Sequence, residues 1–216
     1  MKKAIKIALM ILLVASILFV LTGCGEEKKN PVVDNNTVTE EPKVEFSMGE
    51  WKDNTYENKF LGLKFNLPEG WTYSSDEEIA QMMNIGSELL NDDQKIAAEL
   101  AKLTSVYYVV ANDPSTGNNI SIMSEKPLMD ITTEYYLDQL KTQLTAVESM
   151  SYEIGDTSKE KVAGREYDTL TVTAAISGIE VTQKYYVYKM DEYFVCVIAT
   201  STSGERGIED IMKSFE

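Results

Sequence analysis

Tyr193-Phe194-Val195-Cys196-Val197-Ile198-Ala199 is the stretch on which the fold turns. Seven consecutive residues of this kind, rich in β-branched and aromatic side chains, read as a strand that is apolar on both faces. Such a strand needs cover on both sides, so helices are expected on each face of the sheet that contains it. Immediately upstream, three more strands are predicted at about 151–160, 165–176 and 179–190, with this one running over 192–201. The breaks between them, Ala163-Gly164, Ser177-Gly178 and Asp191-Glu192, are short enough for antiparallel hairpins.

Further toward the N-terminus, Thr132 to Val147 places Leu137, Leu140, Leu144 and Val147 on one stripe of a helix. Before it, Val106 to Ala111 and Asn119 to Ser124 form a hairpin around Asp113-Pro114-Ser115-Thr116-Gly117-Asn118, a run of turn formers. Leu61, Leu63, Phe65 and Leu67 alternate along a strand that Pro68-Glu69-Gly70 ends. Ser75 and Glu78 stand in capping-box spacing at the start of a helix carrying Ile79, Met82, Met83, Leu89 and Leu90. A second helix is expected from Asn91 or Asp92, with Ile96, Leu100 and Leu103 on one side. At the other extreme, Ile208, Ile211, Met212 and Phe215 align on a terminal helix for which Thr202 and Glu205 form a second capping box. The expected fold class is α/β (α+β): a three-layer α/β/α sandwich around a mostly antiparallel sheet.

Outside this domain the N-terminus has a different character. Lys2, Lys3 and Lys6 precede an uncharged apolar run from Ile7 to Leu21, the charged and apolar regions of a signal peptide. The run is shorter than the roughly 20 residues that span a bilayer. Leu21-Thr22-Gly23-Cys24 then resembles the lipobox of bacterial lipoproteins. That resemblance implies cleavage between Gly23 and Cys24 and attachment of a diacylglycerol to the Cys24 thiol. The next segment, GEEKKNPVVDNNTVTEEPKVEFS, cannot bury enough apolar surface to offset its ordering entropy and reads as a tether. The organisation expected is a leader at 1–23, lipidated Cys24 with a disordered tether over 24–48, and one domain at 49–216.

Composition removes several function classes. Among 216 residues there is no histidine, so no Ser-His-Asp or Cys-His set and no imidazole metal ligand can be assembled. Loss of a leader with three lysines and no acid takes the formal charge from −15 to −18, which opposes binding to nucleic acid. Of the two cysteines one is the lipid site, leaving Cys196, flanked by large apolar residues, as an inert core thiol.

Tyr56 to Tyr73, YENKFLGLKFNLPEGWTY, is an aromatic strand, a Gly turn, an alternating strand ending in Leu-Pro-x-Gly-Trp, then a capped helix. In that order it resembles the opening of the PsbP-like family, which includes an extrinsic photosystem subunit, a eukaryotic Ran-binding relative and bacterial lipoproteins. Gly164-Arg165-Glu166-Tyr167 and the terminal Ile-Met-x-Ser-Phe helix extend the likeness loosely. It implies a non-enzymatic domain that docks on other proteins, and it brings no catalytic residue. The metal-site histidines of some photosynthetic members have no counterpart here.

Three acidic places, Asp76-Glu77-Glu78, Asn91-Asp92-Asp93 and the loop Asn112 to Asn119, lack the spacing of a calcium loop. They read instead as helix N-terminal acids and as a turn. A surface cation site stays open for the loop. No Gly-x-Ser-x-Gly element supplies an activated nucleophile. Tyr186 and Tyr188, alternating with Thr182 and Lys184, are the candidate partner surface, since tyrosine offers large amphipathic contact area at low entropy cost. The functional expectation is therefore a membrane-anchored extracytoplasmic lipoprotein, a binding or accessory module for a protein partner, without cofactor or metal. A small-ligand or cation-binding domain is the first alternative, and a wall-active enzyme working through paired carboxylates the second.

Overall fold

The computed structural model describes residues 45–81, 104–147, 152–176 and 178–216. The leader, Cys24, the greater part of the tether, and the helices expected beyond Met82 and near Asn91 lie outside them. Seven strands, all antiparallel, make one sheet in the order β4-β5-β6-β10-β9-β8-β7. They are β4 (Thr72–Tyr73), β5 (Ser105–Asn112), β6 (Asn119–Glu125), β7 (Tyr152–Val162), β8 (Arg165–Ile176), β9 (Ile179–Met190) and β10 (Tyr193–Ser201). Three shorter strands, β1 (Glu50–Lys52), β2 (Thr55–Asn58) and β3 (Leu63–Asn66), form a second sheet. Two helices are described end to end, α1 (Thr133–Ala146) and α2 (Gly204–Met212), and a further one begins at Asp76 and continues to the edge of the described residues.

β10 lies at the centre, between β6 and β9, and its residues alternate strictly between two cores. Phe194, Cys196 and Ile198 enter the first, where Leu137, Leu140 and Leu144 of α1 cover them together with Ile79. Val195, Val197 and Ala199 enter the second, beneath Ile208, Ile211 and Met212 of α2 and beneath Tyr56, Leu61, Leu63 and Phe65. The apolar heptapeptide is thus covered on both sides as its pattern demands. On the second face the cover is shared between a helix and a small sheet. A helix of nine residues is roughly 14 Å long, whereas seven strands extend about 28 Å across, so α2 alone leaves half the face open. β1 to β3 fill that half, and the chain's end closes over them. Phe65 pairs with Phe215, and the Asn66 N–H donates to the Ser214 carbonyl at 2.8 Å.

Local signals behave as their chemistry requires. Ser75 and Glu78 exchange the two bonds of a capping box: the Ser75 N–H donates to Glu78 Oε2 at 2.8 Å, and the Glu78 N–H to Ser75 Oγ at 3.3 Å. Thr132 caps α1 by accepting from the Tyr135 N–H. Val162 pairs with Arg165 across Ala163-Gly164, where φ angles of 48° and 83° suit a two-residue hairpin turn; glycine takes the second without strain. The Thr202–Glu205 capping box does not form. Thr202 gives its N–H to Asn118 Oδ1, and α2 starts one residue later, from Ser203, without a side-chain cap. Two register irregularities are present: a bulge at Tyr107–Val109 turns both Tyr108 and Val109 to the second core, and Gly155-Asp156 sit opposite one residue of β8.

Candidate functional site

The hairpin registers divide the sheet's ends. The 113–118 turn, Ser201 and the β8–β9 turn lie at one end, whereas Lys126, Ala163-Gly164 and Asp191-Glu192 lie at the other. At the first end α2 begins, held close to β10 by a contact only glycine permits: a Cβ on Gly207 would stand 1.9 Å from Ser201 Oγ. Its apolar stripe faces the sheet, so Glu205, Arg206, Glu209 and Asp210 point outward.

Two grooves flank this helix. One, of about 410 Å³, has Trp71 as an aromatic wall with Asn118, Ser203, Arg206 and Asp210 around it. The other, of about 480 Å³, lies toward β7 and is lined by Glu153, Asp156, Glu160, Thr171, Lys184 and Glu205 among others. Lys184, only 8% exposed, forms an ion pair with Glu160 and stands 5.7 Å from the Tyr186 ring centroid. Acids outnumber the buried ammonium, so this groove suits a cationic group better than an anion. Burial, then the charge of nearby Glu160, pushes the Tyr186 phenol well above its ordinary value, so it holds its proton at neutral pH.

Tyr186 and Tyr188 do not form the surface expected of them. Tyr186 is 2% exposed within the second core, and Tyr188 is packed against the same core. Tyr188 donates its hydroxyl to the Leu61 carbonyl at 2.6 Å, and the Arg165 guanidinium lies 4.2 Å from its ring centroid. The residues that alternate with them, Thr182 and Lys184, look polar in sequence but are buried as well. What covers this face is the loop at Leu61, more than a hundred residues away in the chain, which no local pattern announces. Gly23 and Cys24 lie outside the described residues.

Cys196 sits in the first core, where burial raises its thiol to about 12 and Tyr136 Oη lies 3.1 Å away. Beside it is a group the sequence reading missed. Glu125, 1% exposed, accepts from the Tyr136 hydroxyl at 3.1 Å, and burial pushes its carboxyl up to about 8. Its place in β6, two residues beyond Met123 on the first-core face, was the available signal. Of the acidic places, Glu78 serves its capping box. Asp113 accepts from the Ser115 N–H, the Ser115 hydroxyl and the Thr116 hydroxyl. Desolvation raises that carboxyl, but these bonds outweigh it and hold it below its usual value. Asn91-Asp92-Asp93 lie outside the described residues. Among the described residues no group of three or more acids or cysteines is placed to hold a metal ion, and no helix is long and apolar enough to cross a membrane.

No family model and no curated protein matches this sequence. Among solved structures it is similar to the solution structure of cyanobacterial PsbP (CyanoP) from Synechocystis sp. PCC 6803, with 13% identity and a TM-score of 0.47 over 75% of this chain and 90% of that one. It is also similar to the crystal structure of LpqN, involved in cell envelope biogenesis of Mycobacterium tuberculosis, with 13% identity and a TM-score of 0.37 over 70% and 76% of the two chains. The first belongs to the family that Tyr56–Tyr73 resembles.

Proposed function

We propose that this chain is a non-enzymatic binding module on the extracytoplasmic face of a cell membrane, held there by a lipid on Cys24. Its partner is an exported or membrane protein that presents a basic segment to α2 and the groove beside Lys184. The observation that supports this most is where the recognition surface lies. The outward acids of α2 and the two grooves are at the end of the sheet remote from Glu45, where the chain leads back toward Cys24. A tethered module of this build holds its grooves away from the membrane and toward exported proteins.

A photo-crosslinking residue at Glu205 or Arg206, in intact cells, tests the reading by mass spectrometry of the adducts. Both positions are expected to capture one partner that Asp138, on the exposed side of α1, does not. Failure of both to yield any protein above background overturns it. The acid-lined groove also favours a second reading, a cation site; calcium titration giving neither heat nor a melting shift disposes of that one.

A further inference from the structure

The opposite end of the molecule carries a different surface. Phe46, one residue after the described chain begins, has its ring 5.3 Å from Phe60, and the Phe60 ring is 5.7 Å from Tyr193. Lys126 places its Nζ 5.8 Å from the Tyr193 ring centroid and pairs with Glu192. From Lys126 the chain runs directly to Leu128 and Met129, which are 72% and 65% exposed. Lys189 then fastens the far side of this loop, through Asp130 and through the Ile131 carbonyl at 2.9 Å. An unbroken series of contacts therefore joins the point where the N-terminal segment meets the domain to two outward apolar side chains. Single exposed leucines need no explanation. Here Leu128 and Met129 are adjacent, anchored on both flanks, and share their end with Phe46, itself 55% exposed.

What they face follows from the chain that leaves this end. Twenty residues separate Cys24 from Glu45, and a flexible segment of that length spans roughly 25 Å. A lipid on Cys24 thus sets this end at a typical distance of about 25 Å from the bilayer, with contact well within the segment's reach. Charge points the same way. Lys126 and Lys189 are each neutralised by a local acid, while Glu153, Asp156, Glu205, Glu209 and Asp210 crowd the grooved end. An anionic bilayer repels that end far more than this one. We propose that the Leu128–Met129 loop is a second membrane contact, its two side chains resting in the headgroup boundary of the bilayer that holds Cys24. The proposal rests on the lipid-anchor reading and extends it: one lipid attachment sets distance, and the loop sets orientation.

The test uses the full chain, purified with its N-terminal modification and reconstituted in phosphatidylethanolamine–phosphatidylglycerol vesicles. An environment-sensitive dye is placed at Met129→Cys or, at the far end, at Ile179→Cys; the native Cys196 thiol is buried and does not compete. Blue-shifted emission, quenched by brominated lipid, is expected at 129 and not at 179. Adding Leu128→Glu should return the 129 signal to that of 179 without changing the melting temperature. Identical spectra at 129 and 179, in a chain whose intact mass carries the lipid, overturn the proposal. So does a shift that appears only in native membranes together with a protein crosslink from 129, which assigns the loop to a protein partner. A mass without the lipid defeats the anchor reading separately, and the dye still reports whether the loop enters the vesicle.

Discussion

The two faces of the central sheet are closed by different means. On the first, α1 lays an aliphatic seam of Leu137, Leu140 and Leu144 over β7, β8 and β9, while its Tyr136 reaches β10, stacking on Phe194 and lying in hydrogen-bond contact with Glu125 and Cys196. On the second, aromatic residues are more prominent: Tyr56, Phe65, Tyr167, Tyr186 and Phe215 pack with Trp51 and Trp71 at the margin, although Tyr107, Tyr185 and Phe194 also enter the first core. The cover also has a different origin. Among the described residues, α1, inserted between β6 and β7, covers the first face together with Ile79, whereas the second is assembled from both extremes of the domain. The difference teaches that the aromatic face is a clasp, stable only when residues 50–66 and 204–216 arrive together, at the entropic cost of long-range contacts.

The strongest way to break the comparison is to open that clasp. Phe65→Ala is expected to lower stability by about 3–5 kcal/mol, and Leu144→Ala on the other face by about 2–5 kcal/mol. Both tryptophans of the chain lie on the second face. Phe65→Ala should therefore red-shift native tryptophan emission, while Leu144→Ala leaves it unchanged below its own melting point. Equal shifts in both variants would mean that the faces are not separable.

pH distinguishes the faces through Glu125. The folded carboxyl keeps its proton up to about pH 8, whereas an unfolded one releases it near 4.5. Between those values the folded state binds more protons, so stability falls as pH rises and levels off above the upper one. The slope this adds is at most about 1.4 kcal/mol per pH unit. Glu125→Gln should match the wild type at pH 5 and exceed it at pH 9, as read from urea midpoints. Parallel profiles for the two proteins would dismiss Glu125 as the titrating group.

Smaller effects sharpen the contrast. Tyr188→Phe removes the hydroxyl bonded to the Leu61 carbonyl, but Arg165 Nη1 still donates to that oxygen at 2.8 Å. The expected loss in thermal unfolding is about 1 kcal/mol, and a loss several times larger would show that the aromatic face depends on this one bond. On the first face Ser75→Ala, which removes half of an exposed capping box, should cost about 0.5–1 kcal/mol, with faster amide exchange over 76–81 as its local sign.

Sequence made the central hairpins legible because their signals need no distant partner: β10 is apolar on both faces, and two-residue turns separate it and the strands before it. Ser75 and Glu78 could be read for the same reason. Leu61, Leu63 and Phe65 announced one buried face, but alternation does not say which sheet a strand joins, so the separate three-stranded sheet went unforeseen. Tyr186 and Tyr188 were placed outside because Thr182 and Lys184 look solvated. The partner that makes Lys184 tolerable inside, Glu160, comes from β7, two strands away across β8. The grooves were invisible for a related reason, since Trp71, Asn118 and Arg206 converge through tertiary packing and share no spacing.

One consequence concerns the sheet's far edge. Among the described residues, β7 is an eleven-residue border strand with one side of its backbone unpaired by any strand, a length at which neighbouring copies can add to one another. Confinement to a membrane surface would aggravate this by raising encounter frequency in two dimensions. The one extra residue at Gly155-Asp156 breaks the straight run of donors and acceptors, and Lys159 and Lys161 place like charges along the remainder. The irregularity that helps shape the acidic groove therefore also makes β7 a poorer template for edge-to-edge pairing.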